Sequence, residues 1–211
     1  LGSELELRAI IMPLKRFGAM IGTPIDGILG YDVLRPFVLA VDAARRQVRF
    51  LGRVTDAALR LPGAVPWRMV GGRPFLKLKL VRADGKTVSG KALIDTGSSS
   101  AETAGAGLAE RLGIVPRKGG LVRRQGGVGG MNASIVADLG QIRVGHVELN
   151  QPEGLILAEA AGASRESLAV GLGFPRPLPF ALDFPGGKLI LSSAYPAGIL
   201  GPLSVLAPFL R

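Results

Sequence analysis

Two stretches of this chain align without a gap at an offset of 141 residues. Ile28-Leu29-Gly30 falls on Ala169-Val170-Gly171, Asp42 falls on Asp183, and Phe50 falls on Leu191. In both copies the glycine stands twelve residues before the aspartate. Each aspartate precedes a polar or glycine-rich turn, and each turn separates two short apolar runs. An aspartate in that position accepts hydrogen bonds from the backbone just beyond it, so both read as turn-capping residues rather than as acid–base groups. A chain repeated in this way is built from two related halves, each ending in a β-hairpin.

The remainder reads mostly as strand. Phe75-Leu76-Lys77-Leu78-Lys79-Leu80 alternates apolar and charged residues, the pattern of a half-buried antiparallel strand. Ala83-Asp84-Gly85-Lys86 is a hairpin turn, and residues 87–95 form the returning strand. Further strands are expected at 5–12, 18–22, 38–42, 47–51, 67–70, 136–144, 147–149, 180–183 and 188–191. Short helices are expected near 31–35 and at 107–112, the second ended by Gly113. With 31 glycines, 15 prolines and a hydrophobic content of 47%, the composition suits a cored domain of short strands and many turns. Residues 53–64, around Pro62-Gly63, read as a linker.

Chemistry concentrates in Ala92-Leu93-Ile94-Asp95-Thr96-Gly97-Ser98. An apolar strand delivers one carboxylate, on Asp95, to a tight loop of small residues. Thr96 is β-branched and stiff at χ1. Gly97 lets another backbone approach. Ser98 can donate a hydrogen bond to Asp95. A buried, hydrogen-bonded carboxylate with a tunable pKa suits acid–base activation of water. Read without a family, the tripeptide Asp-Thr-Gly is also an ordinary turn after a strand.

Leu93-Ile94-Asp95-Thr96-Gly97-Ser98 resembles the signature of the aspartic proteases, both retropepsin-like and pepsin-like. Gly126-Gly127-Val128-Gly129-Gly130, between two strand-like runs, is similar to the retropepsin flap, a mobile hairpin that closes over bound peptide. It is not a dinucleotide fingerprint, because Asn132 stands where that motif needs its third glycine. The closing hairpins at 38–51 and 180–191 resemble the ends of two protease lobes, with Ala169-Val170-Gly171 expected beside the Asp95 strand.

The resemblance implies an all-β fold: one complete closed barrel lobe plus the C-terminal half of a second. It divides the chain into 1–52 (closing half of a first lobe), 53–64 (linker), 65–193 (second lobe) and 194–211 (apolar tail). Shifting Asp95 back by 141 residues puts its counterpart before residue 1, so the chain is expected to begin inside the first lobe. It further implies a peptide endohydrolase in which Asp95 is one of two aspartates, Thr96 ties the two active loops, Gly97 permits their approach and Ser98 orients Asp95. Gly126, Gly127, Val128, Gly129 and Gly130 would contact substrate. The expected partners are a peptide or protein substrate, and either a missing half-lobe or a second chain supplying the other aspartate. No metal or cofactor is expected. A non-catalytic peptide-binding or assembly module on the same fold is the alternative.

Other chemistries are poorly supplied. There is no cysteine for a disulfide, a thiolate site or a nucleophile. The single histidine, His146, reads as a surface hairpin residue, which disfavours a histidine metal site or a Ser-His-Asp triad. Gly-x-Ser-x-Gly, His-Glu-x-x-His and Walker-type patterns are absent from the sequence. The net charge of +10 is dispersed, with no basic run or aromatic box, and reads as a basic surface rather than a nucleic-acid site. No apolar stretch is long enough to span a membrane, and Pro196, Pro202 and Pro208 interrupt the tail.

Overall fold

The computed structural model describes residues 9–42, 45–52, 64–82, 84–96, 102–127, 130–150, 153–157, 168–171 and 179–191. The fold is all-β, and among the described residues there are three short helices: α1 (Lys15–Ile21), α2 (Tyr31–Leu34) and α3 (Ala106–Leu112). In chain order the strands are β1 (Val38–Asp42), β2 (Gln47–Leu51), β3 (Ala64–Val70), β4 (Arg73–Val81), β5 (Thr87–Asp95), β6 (Glu102–Gly105), β7 (Val115–Pro116) and β8 (Val122–Gly127). They continue as β9 (Gly130–Asp138), β10 (Gln141–Val144), β11 (Val147–Asn150), β12 (Glu153–Leu157), β13 (Leu168–Gly171), β14 (Phe180–Asp183) and β15 (Lys188–Leu191). The main sheet runs β2-β1-β14-β15-β3-β4-β5-β13-β6-β12-β9-β7.

The two hairpins of the sequence repeat, β1–β2 and β14–β15, meet along β1 and β14 in antiparallel register. Ala40 lies directly opposite Ala181, and these two residues are equivalent under the 141-residue offset. A local two-fold axis therefore passes through this alanine pair, where both side chains are buried. The aspartates act on their turns. Asp42 accepts from the Arg45 amide at 3.0 Å and from Arg45 Nη1 at 2.6 Å. Asp183 accepts from the Gly186 amide at 2.9 Å.

β3 links this sheet to the rest. Its first half pairs with β15 and its second half with β4, up to Trp67 opposite Leu76. Beyond that point β4 takes a new neighbour, β10, with Lys79 opposite Arg143. The alternation read in β4 holds: Leu76, Leu78 and Leu80 are buried, while Lys77 and Lys79 are exposed. Leu108, Ala109 and Leu112 of α3 join the same core.

Four expectations need correction. Residues 18–22 belong to α1 and its cap, not to a strand; Gly22 ends the helix in the left-handed region at φ 73°. A short apolar run does not by itself separate helix from strand, and the left-handed glycine is what stops the helix here. Of the strand expected at 5–12, residues 9–12 have no regular structure and 5–8 lie outside the described residues. The run 136–144 is two strands, β9 and β10, broken at Gly140. Of the stretch read as a linker, Ala64 already belongs to β3, and 53–63 lie outside the described residues.

Gly140 has φ 75°, and a Cβ there would run into the Val81 carbonyl oxygen. The left-handed backbone costs a non-glycine residue about 1–2 kcal/mol, and overpacking against a fixed neighbour adds about 1–3 kcal/mol. Gly140→Ala should therefore lower stability by roughly 2–5 kcal/mol, read as a lower urea midpoint at unchanged slope. A midpoint equal to that of the parent would contradict this packing.

Candidate active site

β5 carries Asp95 at its C-terminal end. Ala92 and Ile94 face the core, which leaves Lys91, Leu93 and Asp95 on the opposite face. The strand end is held from both sides. β4 pairs with it antiparallel, with Phe75 opposite Leu93. β13 pairs with it in parallel, with Leu168 opposite Ala92, Ala169 opposite Leu93, Val170 opposite Ile94 and Gly171 opposite Asp95. The expected neighbour of the Asp95 strand is thus in place, through a parallel pairing that a long crossover connection must close. On its other edge β13 pairs antiparallel with β6.

Asp95 is half-buried, and Thr96 is exposed in the turn that follows. Gly97 and Ser98 lie outside the described residues. Gly126, Gly127 and Gly130 sit at the end of the β8–β9 hairpin, with Gly126 opposite Met131 and Gly127 opposite Gly130. Val128 and Gly129 also lie outside the described residues. α1 lies against β8.

The base of this hairpin is tied by charges. Arg123 Nη1 of β8 meets Glu153 Oε1 of β12 at 2.5 Å. Arg117 reaches the same carboxylate at 3.4 Å and also pairs with Asp138 at the end of β9. The hydrogen bond from Arg117 holds the Asp138 carboxyl below its usual range, and the same bond raises the Arg117 guanidinium. A carboxyl whose folded pKa is depressed contributes stability above its unfolded value, about 3.9, and loses it as pH falls through the lower folded value. Asp138→Asn should thus be less stable than the parent at neutral pH, and the difference should vanish in strong acid. A difference independent of pH would remove the ion pair as its cause.

Neither β6, β12 nor this ion network was anticipated from the sequence. Glu102-Thr103-Ala104-Gly105 is too polar and small to announce a strand, and Arg117 and Glu153 are 36 residues apart. The apolar Leu155-Ile156-Leu157 was the available signal for β12. His146 is exposed in the β10–β11 turn, as expected. Among the described residues, no three His, Cys, Asp or Glu side chains cluster as metal ligands. No helix among them is long and apolar enough to cross a membrane.

Residues 80–175 match the model of the aspartyl protease family. The chain is also similar to a retropepsin-like aspartic protease from Rickettsia conorii, at 16% identity and a TM-score of 0.40, over 61% of this chain and 87% of that one. No curated protein matches it. The matched segment runs from the end of β4 through Asp95 and the glycine hairpin to just beyond β13. It is over residues 80–175, a little under half of the chain, that this protein is similar to the aspartyl protease family.

Proposed function

We propose that this chain is part of an aspartic endopeptidase and supplies Asp95 as one of two catalytic carboxylates. The observation that carries the reading is the pairing of Gly171 with Asp95, which pins a carboxylate at the end of a strand held on both edges. Two carboxylates that share one proton divide the work. The ionised one takes a proton from water, and that water's oxygen attacks the peptide carbonyl. The protonated one assists at the carbonyl oxygen. Collapse of the tetrahedral intermediate then breaks the C–N bond as the leaving nitrogen gains a proton. In this scheme Thr96 ties the two active loops, Gly97 allows their close approach and Ser98 orients Asp95. Gly126, Gly127, Val128, Gly129 and Gly130 cover the bound peptide.

The same reading divides the chain into a closing half-lobe at 1–52, a linker at 53–64, a second lobe at 65–193 and a tail at 194–211. Ile28 and Leu29 support this division. They are the repeat equivalents of Ala169 and Val170, yet they lie outside any strand among the described residues and are 54% and 58% exposed. Their equivalents pair with the strand that ends in Asp95. A second such strand, ending in the second aspartate, fits against 28–30. It comes from sequence preceding Leu1 or from another chain.

The test is cleavage of a general peptide substrate from acidic to neutral pH, by this chain alone and by a form extended upstream to include a second Asp-Thr/Ser-Gly. Activity is expected only in the extended form, with a bell-shaped profile that reports the shared proton. Robust turnover by the 211-residue chain at monomeric concentration would overturn the division of labour.

A further inference from the structure

On the face of β5 that carries Asp95 and Leu93, the next outward positions are Lys91 and Ser89. The register with β4 puts Lys77 directly opposite Lys91 and Lys79 directly opposite Ser89. On the other edge of β4, Arg143 of β10 stands opposite Lys79. Three strands thus gather four cations and a hydroxyl on one face, and all five side chains are exposed. They line a groove of about 590 Å³. Like charges directly opposite each other destabilise a sheet, so the cluster is unfavourable for the fold alone. Arg143 is partly neutralised by Glu148 at 2.6 Å, and Glu148 also accepts from Gln141. Among the described residues, no carboxylate forms an ion pair with Lys77, Lys79 or Lys91.

We propose that this groove is an exosite for an acidic, extended segment of the polypeptide substrate; the assignment to substrate rests on reading Asp95 as an active-site carboxylate. Lys91 and Asp95 are four steps apart along the strand, about 13 Å at ~3.3 Å per residue. The half-buried pair Phe75 and Leu93 lies between them. A single extended chain can therefore reach from the cations to Asp95. Lys77 and Lys79 are two residues apart on one face, about 7 Å, which is also the spacing of same-face side chains in an extended peptide. Carboxylates at alternate positions of such a peptide meet successive lysines. Single-stranded nucleic acid is less well served, because no aromatic side chain lines the groove to stack a base.

Binding is measured on the Asp95→Asn chain, so that no turnover intervenes. The probe is a fluorescein-labelled peptide with glutamate at alternate positions, read by anisotropy at low salt. A neutral glutamine version and an oligo-dT of equal charge serve as comparisons. The triple variant Lys77→Gln, Lys79→Gln, Lys91→Gln should weaken the acidic peptide about tenfold. The corresponding triple arginine variant should retain binding, which separates lost charge from lost fold. Lys15→Gln with Arg16→Gln and Arg35→Gln removes as much charge on and near α1 and α2, and should change affinity much less. Equal losses in the groove and control variants would overturn the proposal, since net charge alone would then explain attraction. Failure of the acidic peptide to bind better than its glutamine version, or tighter groove-dependent binding of oligo-dT, would overturn it as well. A chain that shows the expected pattern, while the extended form hydrolyses nothing, would leave the groove standing and sink the peptidase reading.

Discussion

Asp95→Asn should reduce peptide hydrolysis to trace levels in any assembly to which this chain contributes its catalytic strand. The substitution keeps the shape of the side chain and removes its ability to hold or release a proton. General acid–base assistance is worth about 10²–10⁴-fold. The loss should fall on kcat far more than on KM, because peptide binding by backbone contacts does not need the proton. Asp26→Asn and Asp32→Asn provide the comparison. Both residues are exposed beside Ile28-Leu29-Gly30, with Asp32 in the first turn of α2, and neither is followed by Thr-Gly. Those two variants should retain near-parental kcat. A loss at Asp32 as large as that at Asp95 would move the second carboxylate into this chain and refute the need for an outside partner.

What could be read from the sequence follows the range of the interactions involved. The β4–β5 hairpin was legible because its signals are local. Strict alternation marks Leu76, Leu78 and Leu80 as inward residues. Asp84-Gly85 marks the turn, where Gly85 takes φ 78° and Asp84 accepts from the Lys86 amide. The closing hairpins were legible for another reason: the chain states them twice, so each copy supports the other. The pairing of β13 with β5 was legible only through that repeat and the family resemblance, because nothing in Leu168-Ala169-Val170-Gly171 points to a partner more than seventy residues earlier. β6 pairs with β12 and β13, and its own residues carry little strand propensity. It is a strand because its neighbours offer it two ladders. The hairpin-base ions are not legible locally for the same reason: Arg117, Asp138 and Glu153 converge only after β9 and β12 pair. In α1, local propensity and apolar content pointed different ways, and the left-handed cap at Gly22 marks the helix end.

Trp67→Ala should cost about 3–5 kcal/mol, the usual range for deleting a buried aromatic. Trp67→Phe should stay within about 1 kcal/mol of the parent. The position explains the contrast. Trp67 stands where β3 passes from the closing hairpins to the β4–β5 sheet. Its amide donates to the Gly187 carbonyl at 2.9 Å. Its ring meets that of Phe184 nearly edge-on at 5.7 Å, and Phe184 in turn meets Tyr31 of α2 at 5.8 Å. Deleting the ring therefore opens a cavity at the junction of three segments distant in sequence, where no single neighbour can collapse into it. The ring nevertheless holds an unmet demand. Trp67 is 6% exposed, and its indole N–H has no hydrogen-bond partner among the described residues. Burying an unpaired donor costs about 1–3 kcal/mol, and phenylalanine removes that cost while keeping an aromatic ring against Phe184. Lost apolar volume and relieved desolvation then oppose each other at similar size. Circular dichroism in urea is the suitable reading, since Trp67 is the only tryptophan and its fluorescence disappears with it. A phenylalanine variant as unstable as the alanine one would show that the indole N–H has a partner after all.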